Sequence, residues 1–124
     1  MTAAFDISDL ALLREEEEIE VETAAGDGGP AHRTIIWVVV DERDRVLIRS
    51  YRGPGARWYG EVTARPDCRI HARQRVMEVT AVPAGDPDRV AACSEGLRRK
   101  YASDPAMPRM LRDHLETTLE LVPR

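Results

Sequence analysis

Two kinds of hydrophobic spacing alternate along the chain. Phe5, Leu10, Leu12 and Leu13 with Asp6, Ser8 or Asp9 as a cap predict a short N-terminal helix. Ile19 and Val21 then alternate with Glu18, Glu20 and Glu22, which predicts a strand with one wet face. Gly26 to Pro30 suits a hairpin turn. Residues 31–40, AHRTIIWVVV, form the most apolar run, with five Ile or Val, and read as a central strand covered on both faces. A tight turn at 41–44 leads to a return strand at 45–50, with Val46 and Ile48 facing one way and Leu47, Arg49 and Tyr51 the other.

Residues 49–66, RSYRGPGARWYGEVTARP, break this rhythm. A strand ends, the chain turns through Gly53-Pro54-Gly55, and a short helix carries Trp58 and Tyr59. Residues 68–73 and 75–83 predict another hairpin, with Cys68, Ile70 and Ala72 opposite Arg69, His71 and Arg73. Asp86-Pro87 signals a helix start, and Val90, Cys93, Leu97 and Tyr101 follow at helical spacing. Asp104-Pro105 repeats the signal for a helix bearing Met107, Met110, Leu111 and Leu115, and 117–124 closes the chain as a strand. Helix, three strands, short helix, two strands, two helices and a strand give an α+β fold, an antiparallel sheet or barrel with flanking helices.

At 124 residues the chain is expected to be one domain, 1–124, large enough for a real core. No apolar run approaches the length of a membrane span. The acidic N-terminus lacks the basic-then-apolar pattern of a signal peptide, so a cytoplasmic location is expected. Cys68 and Cys93 read as free, buried thiols.

The net charge of −4 conceals an asymmetry. Residues 1–22 hold eight acids and one base, whereas 33–75 hold ten arginines against five acids, a local charge of +5. Arginine suits bidentate binding of phosphate or carboxylate. An acidic protein with a single lysine is poorly suited to a polynucleotide, so a small anionic ligand is the better fit. His32, His71 and His114 lack metal-ligand spacing, so no metal site is expected, and no serine sits in a nucleophile elbow. Neither a dinucleotide-binding glycine fingerprint nor a Walker lysine loop is present. The ligand features converge instead on 49–66: polar residues at a strand end, glycines permitting close approach, and a helix N-terminus. Trp58, four residues before Val62, also has the spacing of a core-facing position.

The runs RTIIWVVVD, VLIRSYRGP, RWYGEVTARP and CRIH, closing on TTLELVPR, resemble a small bacterial family of unknown function, the domain of unknown function 2255 family. That family is similar to the FMN-binding split barrels, which include pyridoxamine-phosphate-oxidase-like proteins and deazaflavin-dependent nitroreductases. The resemblance implies a mostly antiparallel split β-barrel that binds FMN or coenzyme F420, oxidises or reduces a small organic substrate and pairs as a homodimer. It places Arg33, Thr34 and Ile36 along the flavin. Arg49, Ser50, Arg52 and Gly53 fall at its phosphate, and Arg57, Trp58 and Tyr59 close the site. Tyr51 and Tyr59 are the candidate proton donors. Deazaflavin relatives usually carry asparagine where this chain has Glu61 and Arg65. A non-redox split barrel that binds another anion or a protein partner is the alternative.

Overall fold

The structure, a computed structural model, describes residues 4–26 and 29–124. Helix α1 (Ile7–Glu15) starts where Asp6 caps it, accepting from the Asp9 backbone N–H at 2.7 Å. Strands β1 (Ile19–Ala24) and β2 (Ala31–Ile36) pair antiparallel, from Ile19 opposite Ile36 to Ala24 opposite Ala31. The expected turn between them includes Asp27 and Gly28, which lie outside the described residues. β3 (Val39–Val40) and β4 (Val46–Ile48) form a short hairpin around Asp41, whose carboxylate accepts from the backbone N–H groups of Arg43 and Arg45.

A 3-10 turn at Gly53–Gly55 leads into α2 (Arg57–Ala64). β5 (Asp67–Ala72) and β6 (Arg75–Pro83) make the second long hairpin. α3 (Pro87–Lys100), capped by Asp86, and α4 (Met107–Arg112) precede β7 (Leu119–Pro123). α4 is shorter than expected. It begins after Ala106 with Pro108 in its first turn, and Leu115 falls in a separate 3-10 turn.

The seven strands form one curled antiparallel sheet, ordered β2-β1-β5-β6-β7-β4-β3, with four flanking helices. The fold is α+β, as the pattern of elements predicts. The exception is 31–40, which is not a central strand. It breaks after Ile36, so β2 forms one edge of the sheet and β3 the other. Four strands therefore precede α2, not three.

The physical reason lies in what covers each face. Ile36 and Val38 join a core cluster inside the barrel with Leu13, Val21, Ile48, Trp58, Ile70 and Leu121. Val39 belongs to a second cluster under the helices with Leu47, Cys93, Leu97, Tyr101 and Met110, and Trp37 packs against it. Both faces of 36–40 are indeed apolar, but an apolar run does not report whether neighbours lie along both edges. Ile35, on the outer face of β2, stays 61% exposed.

The crossing from β2 to β3 has no strand partner at Val38, so side chains supply its hydrogen bonds. The Tyr101 hydroxyl accepts from the Val38 N–H and donates to the Glu17 carbonyl, while Lys100 donates to the carbonyls of Val38 and Leu13. Gly96 lets α3 approach this point, since a Cβ there would lie 2.9 Å from Val39 Cβ.

Candidate functional site

The break in 31–40 leaves a cleft where the end of β2 meets the segment after β4. Thr34, Ile36 and Trp37 form one wall; Tyr51, Arg52, Ala56, Arg57 and Trp58 form another; Met110 closes the back and Glu18 stands at the rim. The cleft volume is about 620 Å³, within the usual span of small-molecule and cofactor sites.

Of the ten residues expected to hold a cofactor, Thr34, Ile36, Arg49, Arg52, Arg57 and Trp58 border this cleft. Arg33, Ser50, Gly53 and Tyr59 do not. Arg33 stands on the outer sheet face, 2.8 Å from Glu20. Ser50 is buried, donating its hydroxyl to the Gly53 carbonyl at 2.8 Å and its N–H to Thr117 Oγ1. Gly53 takes φ +78° directly beneath the His114 ring, and a Cβ there would lie 2.5 Å from His114 Nδ1. Both residues therefore shape the loop. Tyr59 sets its ring edge-on to Trp58, with centroids 5.9 Å apart, and packs against the barrel core.

Arg49 touches the back of the cleft, yet most of its hydrogen-bonding capacity is turned inward. It is 2% exposed. Nε donates to Thr118 Oγ1, Nη1 to Ser94 Oγ and the Met110 carbonyl, and Nη2 to the Val90 carbonyl. Burial lowers its pKa from the ordinary value, although arginine keeps its proton in proteins. It thus joins β4 to α3, α4 and the approach to β7.

Arg52 and Arg57 are the opposite case. Both are exposed at the cleft, and among the described residues neither has an ion pair or a side-chain hydrogen bond. Nearly every other arginine is held by a carboxylate, as in Arg14–Asp44, Arg45–Asp41, Arg75–Asp9 and Arg89–Asp86. The start of α2 lies beside this pair. Its cap, Ala56, offers no side-chain acceptor and its first turn carries no acid, so the free N–H groups and the positive end of the helix dipole face the same place.

Residues 9–121 match the family described as uncharacterized protein conserved in bacteria (DUF2255). The chain belongs to this family. No functionally curated protein matches it in sequence. Its fold is that of solved split barrels. A putative pyridoxamine 5'-phosphate oxidase from Listeria innocua aligns with a TM-score of 0.65 at 14% identity, over 94% of this chain and 91% of that one. The haem storage protein HutZ from Vibrio cholerae aligns at 0.65 and 10%, over 98% and 92%. An F420-H2 dependent reductase, FDR-A, aligns at 0.60 and 14%, over 86% and 94%. At these identities the likeness establishes the fold alone, a split barrel.

Several cleft residues were not among the sequence candidates, Trp37 and Met110 the largest of them. Trp37 is hidden in the apolar run, and its indole stacks on Tyr101 at 4.0 Å with the planes 3° apart. Met110 reads as core and is core, 4% exposed, while also forming the back wall. The only signal for Trp37 was an aromatic within a stretch of β-branched residues, which is also the signal for an ordinary strand. Among the described residues no helix is long and apolar enough to cross a membrane. No group of three or more His, Cys, Asp or Glu side chains among them is arranged to hold a metal ion.

Proposed function

We propose that this protein binds FMN or the deazaflavin coenzyme F420 and works in the cytoplasm as an oxidoreductase on a small organic substrate. The observation that carries the proposal is the unpartnered pair Arg52 and Arg57 beside the uncapped start of α2. Two free guanidinium groups next to the uncapped backbone N–H groups of a helix start are a donor set suited to a phosphate. In this reading Arg52 and Arg57 hold the phosphate. Trp58, Ile36, Trp37 and Met110 form the apolar wall for a ring system, and Thr34 offers a hydroxyl at its edge. A flavin or deazaflavin, when bound, supplies the hydride chemistry itself. That leaves the chain to bind, orient and exclude water.

Of the two candidate proton donors, Tyr51 is the better placed. It borders the cleft, with Arg109 5.0 Å above its ring and 3.4 Å from its hydroxyl, whereas Tyr59 packs on the core.

The reading extends to a homodimer. On the outer sheet face Ile35 pairs with Glu20, Glu20 with His71, and His71 with Val76, and the row ends in two exposed apolar side chains, 61% and 54% exposed. Light scattering should give twice the chain mass.

The test of the cofactor is direct. The purified protein should carry a visible chromophore or bind FMN or F420 at micromolar concentration, and the loaded protein should oxidise or reduce quinones or nitroaromatics. Failure of both titrations overturns the cofactor reading. Binding without turnover on any acceptor would leave a non-redox binder of an anionic molecule.

A further inference from the structure

Glu61 is the one acidic side chain on α2, four residues after Arg57. At that spacing Cβ atoms lie about 5–6 Å apart on one helix face, and opposite charges ordinarily pair. Here they do not. Glu61 turns inward, its side chain 12% exposed. Its Oε1 accepts from Thr23 Oγ1 at 2.7 Å, and its two oxygens lie 3.2 and 3.1 Å from His32 Nδ1. Burial alone would raise the Glu61 carboxyl, but the hydrogen bonds from Thr23 and His32 outweigh it and hold the group below its ordinary value. Arg57 is near enough to act on Glu61 through space without bonding to it.

The placement ties this cluster to the cleft. His32, Thr34 and Ile36 alternate along one face of β2, and the latter two border the cleft. Arg57 and Trp58 open α2 at the same cleft, and Glu61 follows one turn later. The carboxylate therefore has two possible partners: the barrel wall through Thr23 and His32, or Arg57. A move to Arg57 would neutralise a cleft cation and place a negative charge where the ligand's phosphate must come.

We propose that His32, assisted by Thr23, is a positioning residue for Arg57: by holding Glu61 against β1 and β2 it keeps the Arg57 guanidinium free for an anionic ligand. This rests on the reading of Arg57 as a ligand-binding group. Glu61 is then a built-in competitor for the site, restrained by two residues that themselves lie outside the cleft lining.

The test removes the restraint and then the competitor. In ligand-free protein, modification of Arg57 by phenylglyoxal, followed by peptide mass spectrometry, should slow about two- to fivefold in His32→Ala, the size expected of a half-exposed ion pair. It should recover in His32→Ala/Glu61→Gln, and His32→Gln, which keeps an N–H donor, should stay near the wild-type rate. FMN affinity should fall and recover in the same order. Simple loosening of the fold would slow nothing and would not be rescued by removing Glu61. An unchanged labelling rate in His32→Ala, or a loss that Glu61→Gln does not restore, overturns the proposal. If Arg57→Ala leaves FMN affinity unaltered, the ligand-binding reading fails instead, and labelling still decides whether His32 restrains Glu61.

Discussion

Arg49 and Arg52 stand three residues apart and meet opposite surroundings. Arg49 is 2% exposed and divides its guanidinium among acceptors at Val90, Ser94, Met110 and Thr118. Arg52 is exposed at the cleft with no partner among the described residues. Both look equally suited to phosphate as residue types. The difference teaches that a cation's role follows from which acceptors remain for it after folding. Arg49 is already satisfied by the protein, whereas Arg52 and Arg57 keep their donors open at the cleft.

The largest effect that would test this contrast is on stability. Arg49→Ala leaves the buried acceptors Thr118 Oγ1 and the Met110 carbonyl without its donors, and should cost about 3 kcal/mol in urea unfolding. Arg49→Lys should recover only part of that, because an ammonium cannot reach several acceptors in a plane. A variant as stable as the wild type would show that the buried network matters little.

Next in size is the converse experiment. Arg52→Ala and Arg57→Ala should each weaken FMN or F420 binding by about 1.5–3 kcal/mol, the range for a hydrogen bond to a charged group. Unfolding should shift by no more than about 0.5 kcal/mol, as expected for surface changes. A loss of stability comparable to Arg49→Ala would erase the distinction between the two regions.

The smallest effect concerns a half-buried cation behind the β2–β3 crossing. Burial lowers Lys100 from 10.5 to about 8, with Glu16 and Glu17 opposing the shift. A base whose pKa is lower when folded binds fewer protons in the native state, so its contribution to stability rises with pH from about 8 to about 10.5. Cys68 and Cys93, pushed up to about 11 by burial, and Tyr101, pushed up to about 12, act in the opposite sense as pH climbs past 9 and 10. The quantity to follow is therefore the difference between wild type and Lys100→Met, which should grow in favour of the wild type by about 1 kcal/mol across that window, the full shift being discounted for solvent screening of this half-buried group. A flat difference would place Lys100 in a more solvated setting than its contacts with Leu13 and Val38 imply.

Much of the fold was legible because hairpins report themselves. The alternations at 19–24, 68–73 and 75–83 and the caps at Asp6 and Asp86 all appear where local chemistry puts them. The split of 31–40 was not legible, since no Gly or Pro marks the break and the hydrogen bonds that stabilise it come from Lys100 and Tyr101, over sixty residues away. The site divides along the same line. Arg52, Arg57 and Trp58 were readable from the Gly-Pro-Gly turn and the helix start that follows it. The commitment of Arg49 was not, because its acceptors are 41 to 69 residues distant. The inward turn of Glu61 was hidden in the same way, its partners Thr23 and His32 belonging to a different hairpin.

Because one stretch of chain supplies both margins of the sheet, the girth of the barrel is set by the two residues between them, Trp37 and Val38. One of those two is also a wall of the cleft. Inserting a residue here would do more than lengthen a loop. It would turn either Ile36 or Val39 to the wrong side of its layer and move the indole that walls the cleft. Aperture and closure are adjusted at one place, so relatives of this chain could change what they hold by altering the seam while leaving the strands intact.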